Sequence, residues 1–290
     1  MSTTRVAVVT GANKGIGLAI VRQLALQYPK SSFHNGSFLI YLTARSAERG
    51  AEAVKTLNQD PKLRDAKVLA EHGGQTTIKF SELDISKTTS IREFKDFLHK
   101  QHPDGIDILI NNAGIAMQGF DKDVVKQTLE TNYYGTLEAT QTLLPIIKPG
   151  GRLVNLGSMA GHLSKYSDSV RRAFIDASET GVPEMTSMME AFKKAVSEGN
   201  EKEQGWPSAA YAVSKAGIIG MTHAVAKEQA ANDKKILINS CCPGYVVTDM
   251  TKNKGAKQPD EGAMTPVLLA LGDIQGSNGK FWQHEKVIEW

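Results

Sequence analysis

Thr10-Gly11-Ala12-Asn13-Lys14-Gly15-Ile16-Gly17 stands between a β-branched run at 6–10 and a stretch of helical periodicity at 16–28. Glycines here permit a tight turn and let a pyrophosphate approach the backbone N–H groups of a helix N-terminus, where the helix dipole favours negative charge. Isolated, the same glycines mean only a turn that packs a helix on a strand. Their position in the first strand-to-helix crossover gives them more weight. Outward from this turn, short and nearly continuously apolar runs recur at 38–43, 77–83, 106–111, 152–156, 236–240 and 280–283. Such runs are those of parallel strands covered on both faces. Helical periodicity fills the intervals at 47–58, 90–100, 124–147 and 209–232. The alternation predicts βαβ crossovers and a doubly wound parallel α/β sheet.

Three segments interrupt the repeat: 29–36, 61–74 and the polar tract 162–205. Inside the last, 169–177 and 184–198 have helical patterns, with Pro183 at the start of the second. A structureless loop of that length does not suit a compact domain, so the tract reads as a helical subdomain. The expectation is one domain over 1–290 with a helical insertion at about 162–205.

Composition narrows the function class. With 41% hydrophobic and 22% charged residues the chain is neither disordered nor fibrous. A net charge of +3, from 34 basic and 31 acidic residues without a dense basic cluster, argues against nucleic acid. No apolar stretch reaches the roughly 18–20 residues of a membrane span; 209–226 is broken by Ser214, Lys215 and His223. The first strand begins so close to Met1 that no leader is expected before it. Adjacent Cys241 and Cys242 do not readily reach disulfide geometry and read as reduced thiols of a cytoplasmic protein. Seven histidines without paired ligand spacing predict no metal. The lysines of 252–257 read as a solvated loop.

The variant Thr-Gly-x-x-x-Gly-x-Gly resembles the short-chain dehydrogenase/reductase family, whose sheet is of the Rossmann type. Asn111-Asn112-Ala113-Gly114 after the fourth strand, Asn132 within Thr131-Asn132-Tyr133-Tyr134-Gly135, Ser158 after the fifth strand, Tyr211-Ala212-Val213-Ser214-Lys215, and Cys242-Pro243-Gly244 follow in the family's order. Leu42-Thr43-Ala44-Arg45, Gly205-Trp206-Pro207-Ser208 and Thr248-Asp249-Met250 are closer still to the monomeric, NADPH-dependent carbonyl reductases of that family. Gly157 and Tyr245 depart from the pattern, where serine and tryptophan are frequent.

Reducing a ketone requires a proton donated to oxygen as hydride reaches carbon, and a phenol supplies it if its pKa is brought toward working pH. Tyr211 and Lys215 lie at i and i+4, on one helical face, so the ammonium is expected to favour the phenolate. Ser158 is suited to donate a hydrogen bond to the carbonyl oxygen. The resemblance adds Asn132 as holder of a relay water, and Lys215 as a ligand of the nicotinamide ribose. At the end of the second strand, Arg45 stands where an acid would select NAD; with Lys14 it implies NADPH. The resemblance further implies cofactor contacts from Gly11, Asn13, Gly15, Ile16, Gly17, Asn111, Tyr211, Pro243, Gly244, Val246 and Thr248, with Asp84 and Ile85 at the adenine.

Ser158, Met159, Tyr245 and Met250 are candidates to line a substrate pocket, although packing explains the last three nearly as well. Cys242 reads better as a buried, inert thiol than as a reactive one. The function expected is NADPH-dependent reduction of ketones, aldehydes or quinones. Alternatives are an NADP-dependent alcohol dehydrogenase working oxidatively, or a non-catalytic NADPH sensor, which would be expected to lack Ser158, Tyr211 or Lys215. Tyr211 follows Ser158 by 53 positions, some 40 more than the family pattern. Val170, Phe174, Met188, Met189, Phe192 and Val196 offer an apolar face to cover the outer side of the Asn132 helix, which predicts a monomer.

Overall fold

The computed structural model describes residues 4–290; Met1, from which the absence of a leader is argued, lies outside them. Strand β1 (Arg5–Val9) leads into α1 (Gly15–Gln27), and β2 (Phe38–Ala44) into α2 (Ala47–Asn58) and the short α3 (Pro61–Asp65). β3 (Thr76–Glu82) precedes α4 (Thr88–Gln101), and β4 (Ile106–Asn111) precedes α5 (Lys122–Leu129), a π-helical turn (Glu130–Tyr134) and α6 (Gly135–Leu143). β5 (Ile147–Leu156) is followed by α7 (Asp168–Thr180), α8 (Val182–Glu198) and α9 (Ala210–Gln229). After β6 (Leu237–Cys242) come α10 (Pro259–Gly262), α11 (Met264–Leu271), β7 (Phe281–Gln283) and β8 (Lys286–Ile288).

The strands form one sheet in the order β3-β2-β1-β4-β5-β6-β7-β8, parallel except for β8, which runs antiparallel to β7. Alternate side chains serve two cores. Val6, Val8, Leu109 and Leu153 face α4, α5 and α9, whereas Ala7, Val9, Ile108 and Ile110 face α1 and α11. Burial on both faces is why these strands read as unbroken apolar runs. The chain reverses direction across the sheet at β1 and β4, leaving a crevice beyond their carboxyl ends.

Four expectations need correction. The single helix over 124–147 is instead α5, the π turn, α6 and a 3-10 turn (Leu144–Ile146), and Ile147 already pairs with Ile106 in the sheet. β5 therefore starts earlier than 152, with a register shift against β4 between Ile106 and Ile108. β8 has no counterpart in the sequence reading; it follows a two-residue reversal at His284 and Glu285, both with positive φ (51° and 58°). Lys257 is not simply solvated, because it bridges to Val246 and its Nζ lies 2.9 Å from His284 Nδ1.

The 162–205 tract folds as a helical pair. Ser167 caps α7 by accepting from Val170 N, Pro183 sits in the first turn of α8, and Gly199 closes it in the left-handed region at φ 72°. Phe174, Met189 and Phe192 are fully buried, Val170 nearly so, and Met188 and Val196 pack at the margin. Both helices lie on α9, and α8 also lies on α5. Phe174 and Phe192 meet Trp206 edge-on or tilted, so the segment just before α9 belongs to the same aromatic core.

Candidate active site

The β1–α1 turn needs glycine where the sequence has it. Gly11 adopts φ +61°, and a Cβ there would sit 2.8 Å from Ala113 Cα; a Cβ on Gly17 would lie 2.5 Å from Asn112 Nδ2. The loop after β4 is bonded onto the turn, since Thr10 Oγ1 accepts from Asn112 N and Ala113 N, and Asn112 Nδ2 donates to Thr10 O and Gly11 O. No side chain caps α1 and no acid stands in its first turn. Its first amides and dipole are thus left for an anion, so this cradle fits a dinucleotide pyrophosphate.

The loop after β6 closes over the same turn. A Cβ on Gly15 would be 3.3 Å from Thr248 Cγ2, and Lys14 Nζ pairs with Asp249 Oδ2 at 2.6 Å, both side chains exposed. Asn13 and Ile16 flank Lys14 and Gly15 in this turn. Asp249 has no role in the sequence reading, and 235 positions separate it from Lys14, so no local pattern marks the pair. Arg45 is exposed at the end of β2 and shares a cleft of about 540 Å³ with Ile85, Ile115 and Tyr134. Asp84 Oδ1 accepts from Ser86 N and Ser86 Oγ. Asn111 turns its side chain into the sheet, donating to Thr140 Oγ1 and Asn155 Oδ1, so any cofactor contact it makes falls to its backbone. Val246 is likewise buried, at 1% exposure.

Asn132 is buried in the π turn. Its Oδ1 accepts from Ile115 N, while Nδ2 donates to Ile115 O and to Ser214 Oγ, which ties the turn to α9. Ser158 lies two residues beyond β5, with Oγ accepting from Ala160 N. Tyr211 and Lys215 occupy the first turns of α9; Ser158 stands close enough to act on the Tyr211 phenol, and Lys215 Nζ lies 5.6 Å from the Tyr211 ring centre. Lys215 Nζ donates to Leu156 O at 2.7 Å.

The electrostatics differ from the expectation drawn from spacing. Desolvation pushes the Tyr211 phenol up to about 12, outweighing the opposing effect of Ser158. Burial also brings Lys215 down to about 8, although Cys242 and Cys241 oppose the shift. Burial sets the direction of both shifts, and Tyr211 keeps its proton at neutral pH. A protonated phenol beside a hydroxyl donor is an arrangement for giving a proton to an oxygen.

Met159 and Ser158 are partly buried, and Met159 N donates to Cys242 Sγ. Tyr245 and Met250 are 56% and 46% exposed on the loop after Pro243 and Gly244. Cys242 is 3% exposed, its sulfur also accepting from Gly244 N. Among the described residues no cluster suited to a metal occurs, and no helix is long and apolar enough to cross a membrane. Sequence reasoning missed Trp290, whose indole N–H donates to Gly161 O in the turn after Ser158.

The short chain dehydrogenase family profile matches residues 5–191 and 173–259. Over 299 residues the chain is 38% identical to carbonyl reductase (NADPH) 1 of Bos taurus, covering all of this chain and 99% of that one. It is 39% identical over 301 residues to carbonyl reductase (NADPH) 1 of Mus musculus, with both chains fully covered. Salutaridine reductase from Papaver somniferum has a similar structure, with a TM-score of 0.81 at 25% identity over 96% of this chain and 99% of that one.

Proposed function

The chain belongs to the short-chain dehydrogenase/reductase family, and we propose that it reduces ketones, aldehydes and quinones to alcohols with NADPH, with Tyr211 as general acid. NADPH-dependent carbonyl reduction is the activity that full-length likeness to carbonyl reductases supports; the oxidative and sensor readings have no comparable support. The observation that carries the acid's assignment is the buried Tyr211 with Ser158 acting on its phenol and Lys215 Nζ 5.6 Å from the ring centre.

NADPH, when bound, supplies the hydride. Gly11, Asn13, Gly15, Ile16 and Gly17 hold its pyrophosphate against the α1 N-terminus. Lys14 and Arg45 meet the ribose phosphate, Asp84 and Ile85 the adenine. Asn111, Pro243, Gly244, Val246 and Thr248 line the remainder. Ser158 donates to the substrate oxygen, Tyr211 protonates it, and Lys215 holds the ribose and offsets charge that develops on the phenol. Asn132 holds the water that reprotonates the phenol through Lys215. Met159, Tyr245 and Met250 face the organic part of the substrate. The 162–205 insertion is part of the one domain, the chain is a monomer, and its free thiols suit the cytoplasm.

The test is NADPH oxidation, followed by absorbance, with purified protein and a panel of quinones, dicarbonyls and simple ketones. Turnover that depends on Tyr211 is expected, and NADPH binding without turnover on any of them would favour the sensor reading.

A further inference from the structure

The two residues that follow Asn132 are both tyrosines, and both reach into the insertion. Tyr133 Oη lies 3.0 Å from Thr186 Oγ1, and the Tyr134 hydroxyl donates to Glu190 Oε1. Thr186 and Glu190 are i and i+4 on α8 and therefore share a face. Lys193, one turn further, donates to both Glu190 oxygens at 3.1 Å and stands 5.5 Å over the Tyr134 ring. These contacts hold the Glu190 carboxyl below its usual range, so it remains a charged acceptor. Behind them Met189, Tyr133 and Gly217 of α9 meet so closely that a Cβ on Gly217 would lie 2.7 Å from Met189 Sδ and from Tyr133 Cδ2.

A π turn is rare because its wider register bonds less well than an α-helix, and it persists only where its surroundings hold it. Returning Glu130–Tyr134 to α register would rotate α6 relative to α5 by roughly 100°, and Asn132, between them, could not keep its bonds to Ile115 and Ser214 while both flanks kept their packing. We infer that α8, through Thr186 and Glu190, clamps Tyr133 and Tyr134 and thereby positions Asn132 for the reaction. The insertion is then a positioning element of the catalytic apparatus as well as a cover for helices. The inference rests on the reading of Asn132 as part of the proton relay.

The experiment compares wild type, Thr186→Val/Glu190→Leu, Thr186→Ser and Asn132→Ala for kcat, KM for NADPH and the solvent deuterium isotope effect on kcat. The double variant is expected to lose about tenfold in kcat and gain a larger isotope effect, with KM for NADPH within about twofold of wild type. Thr186→Ser keeps the hydroxyl and is expected to behave as wild type. A double variant that melts earlier while keeping wild-type kcat and isotope effect overturns the clamp. If Asn132→Ala itself turns over normally, the relay reading fails first and the clamp falls with it.

Discussion

Lys215 carries its charge into a site only 5% exposed, and burial lowers its pKa from 10.5 to about 8. Below pH 8 both folded and unfolded chains hold this proton. Between 8 and 10.5 the folded chain has released it while the unfolded chain retains it, so stability rises with pH across that window. The buried ammonium therefore costs about 3 kcal/mol at neutral pH, before its bond to Leu156 O offsets a part. Lys215→Met is expected to abolish turnover yet stabilise the cofactor-free protein by about 1–3 kcal/mol at pH 7, the gain shrinking toward pH 10. Denaturant melts across that pH range check this, and a less stable variant at pH 7 would show that the Leu156 bond dominates. Tyr211→Phe is expected to lower kcat by at least about 10²-fold while leaving the Kd for NADPH near wild type. Wild-type turnover of that variant with a simple ketone removes the acid's assignment. The i, i+4 spacing of Tyr211 and Lys215 was legible in the sequence because a helix converts spacing into a shared face. Their proton affinities were not, because desolvation depends on what α9 is packed against.

At the level of elements, cofactor choice lies at the end of β2 and in the β1–α1 turn. Arg45→Ala is expected to reduce kcat/KM for NADPH by about 1–3 kcal/mol and leave NADH nearly unchanged, through loss of charge-assisted bonds to the extra phosphate. The ratio of specificity constants for the two cofactors reads this directly; a wild-type preference for NADH would contradict it. Lys14 is bonded to Asp249, so it must exchange that partner to reach a phosphate. Because both side chains are exposed, Asp249→Asn is expected to change NADPH affinity only slightly, and more at low salt than at high. The glycine turn was legible because its constraint is local. The π turn was not: its sequence carries an ordinary helical period, and the partners of its Asn132 and Tyr133 side chains, Ile115, Ser214 and Thr186 of α8, lie elsewhere in the chain.

For the whole molecule, the surface that the insertion covers is the ground for expecting a monomer. α7 and α8 lie over α9, and α8 over α5, covering apolar helix surface that would otherwise face water or another copy. Sedimentation at micromolar concentration is expected to give a monomer, and a stable dimer or tetramer would overturn that. Deleting residues 163–203 is expected to expose the buried face and cause association or aggregation, visible as a larger or heterogeneous sedimenting species. The fold accommodates such an insertion because it enters after Ser158 and leaves before Tyr211, at the ends of elements whose own positions are set by the sheet.

By itself the sequence determined the alternation of buried strands and helices, the glycine turn, the helical pair within 162–205 and the residue types of the site. The elements and the Tyr211–Lys215 pairing follow from short-range rules, namely side-chain period, backbone freedom at Gly11 and the reach of one helical turn, and the other site residues from the family resemblance. Only the tertiary structure decided that Lys14 meets Asp249, that Lys215 bonds Leu156 O, that the 124–147 helix opens into a π turn, and that 286–288 adds a strand beside β7. It also decided that Tyr211 holds its proton more tightly than its spacing from Lys215 implies. Pairing partners and desolvation arise from residues far apart in the chain, and a one-dimensional period carries no record of which distant surface will close over a given side chain.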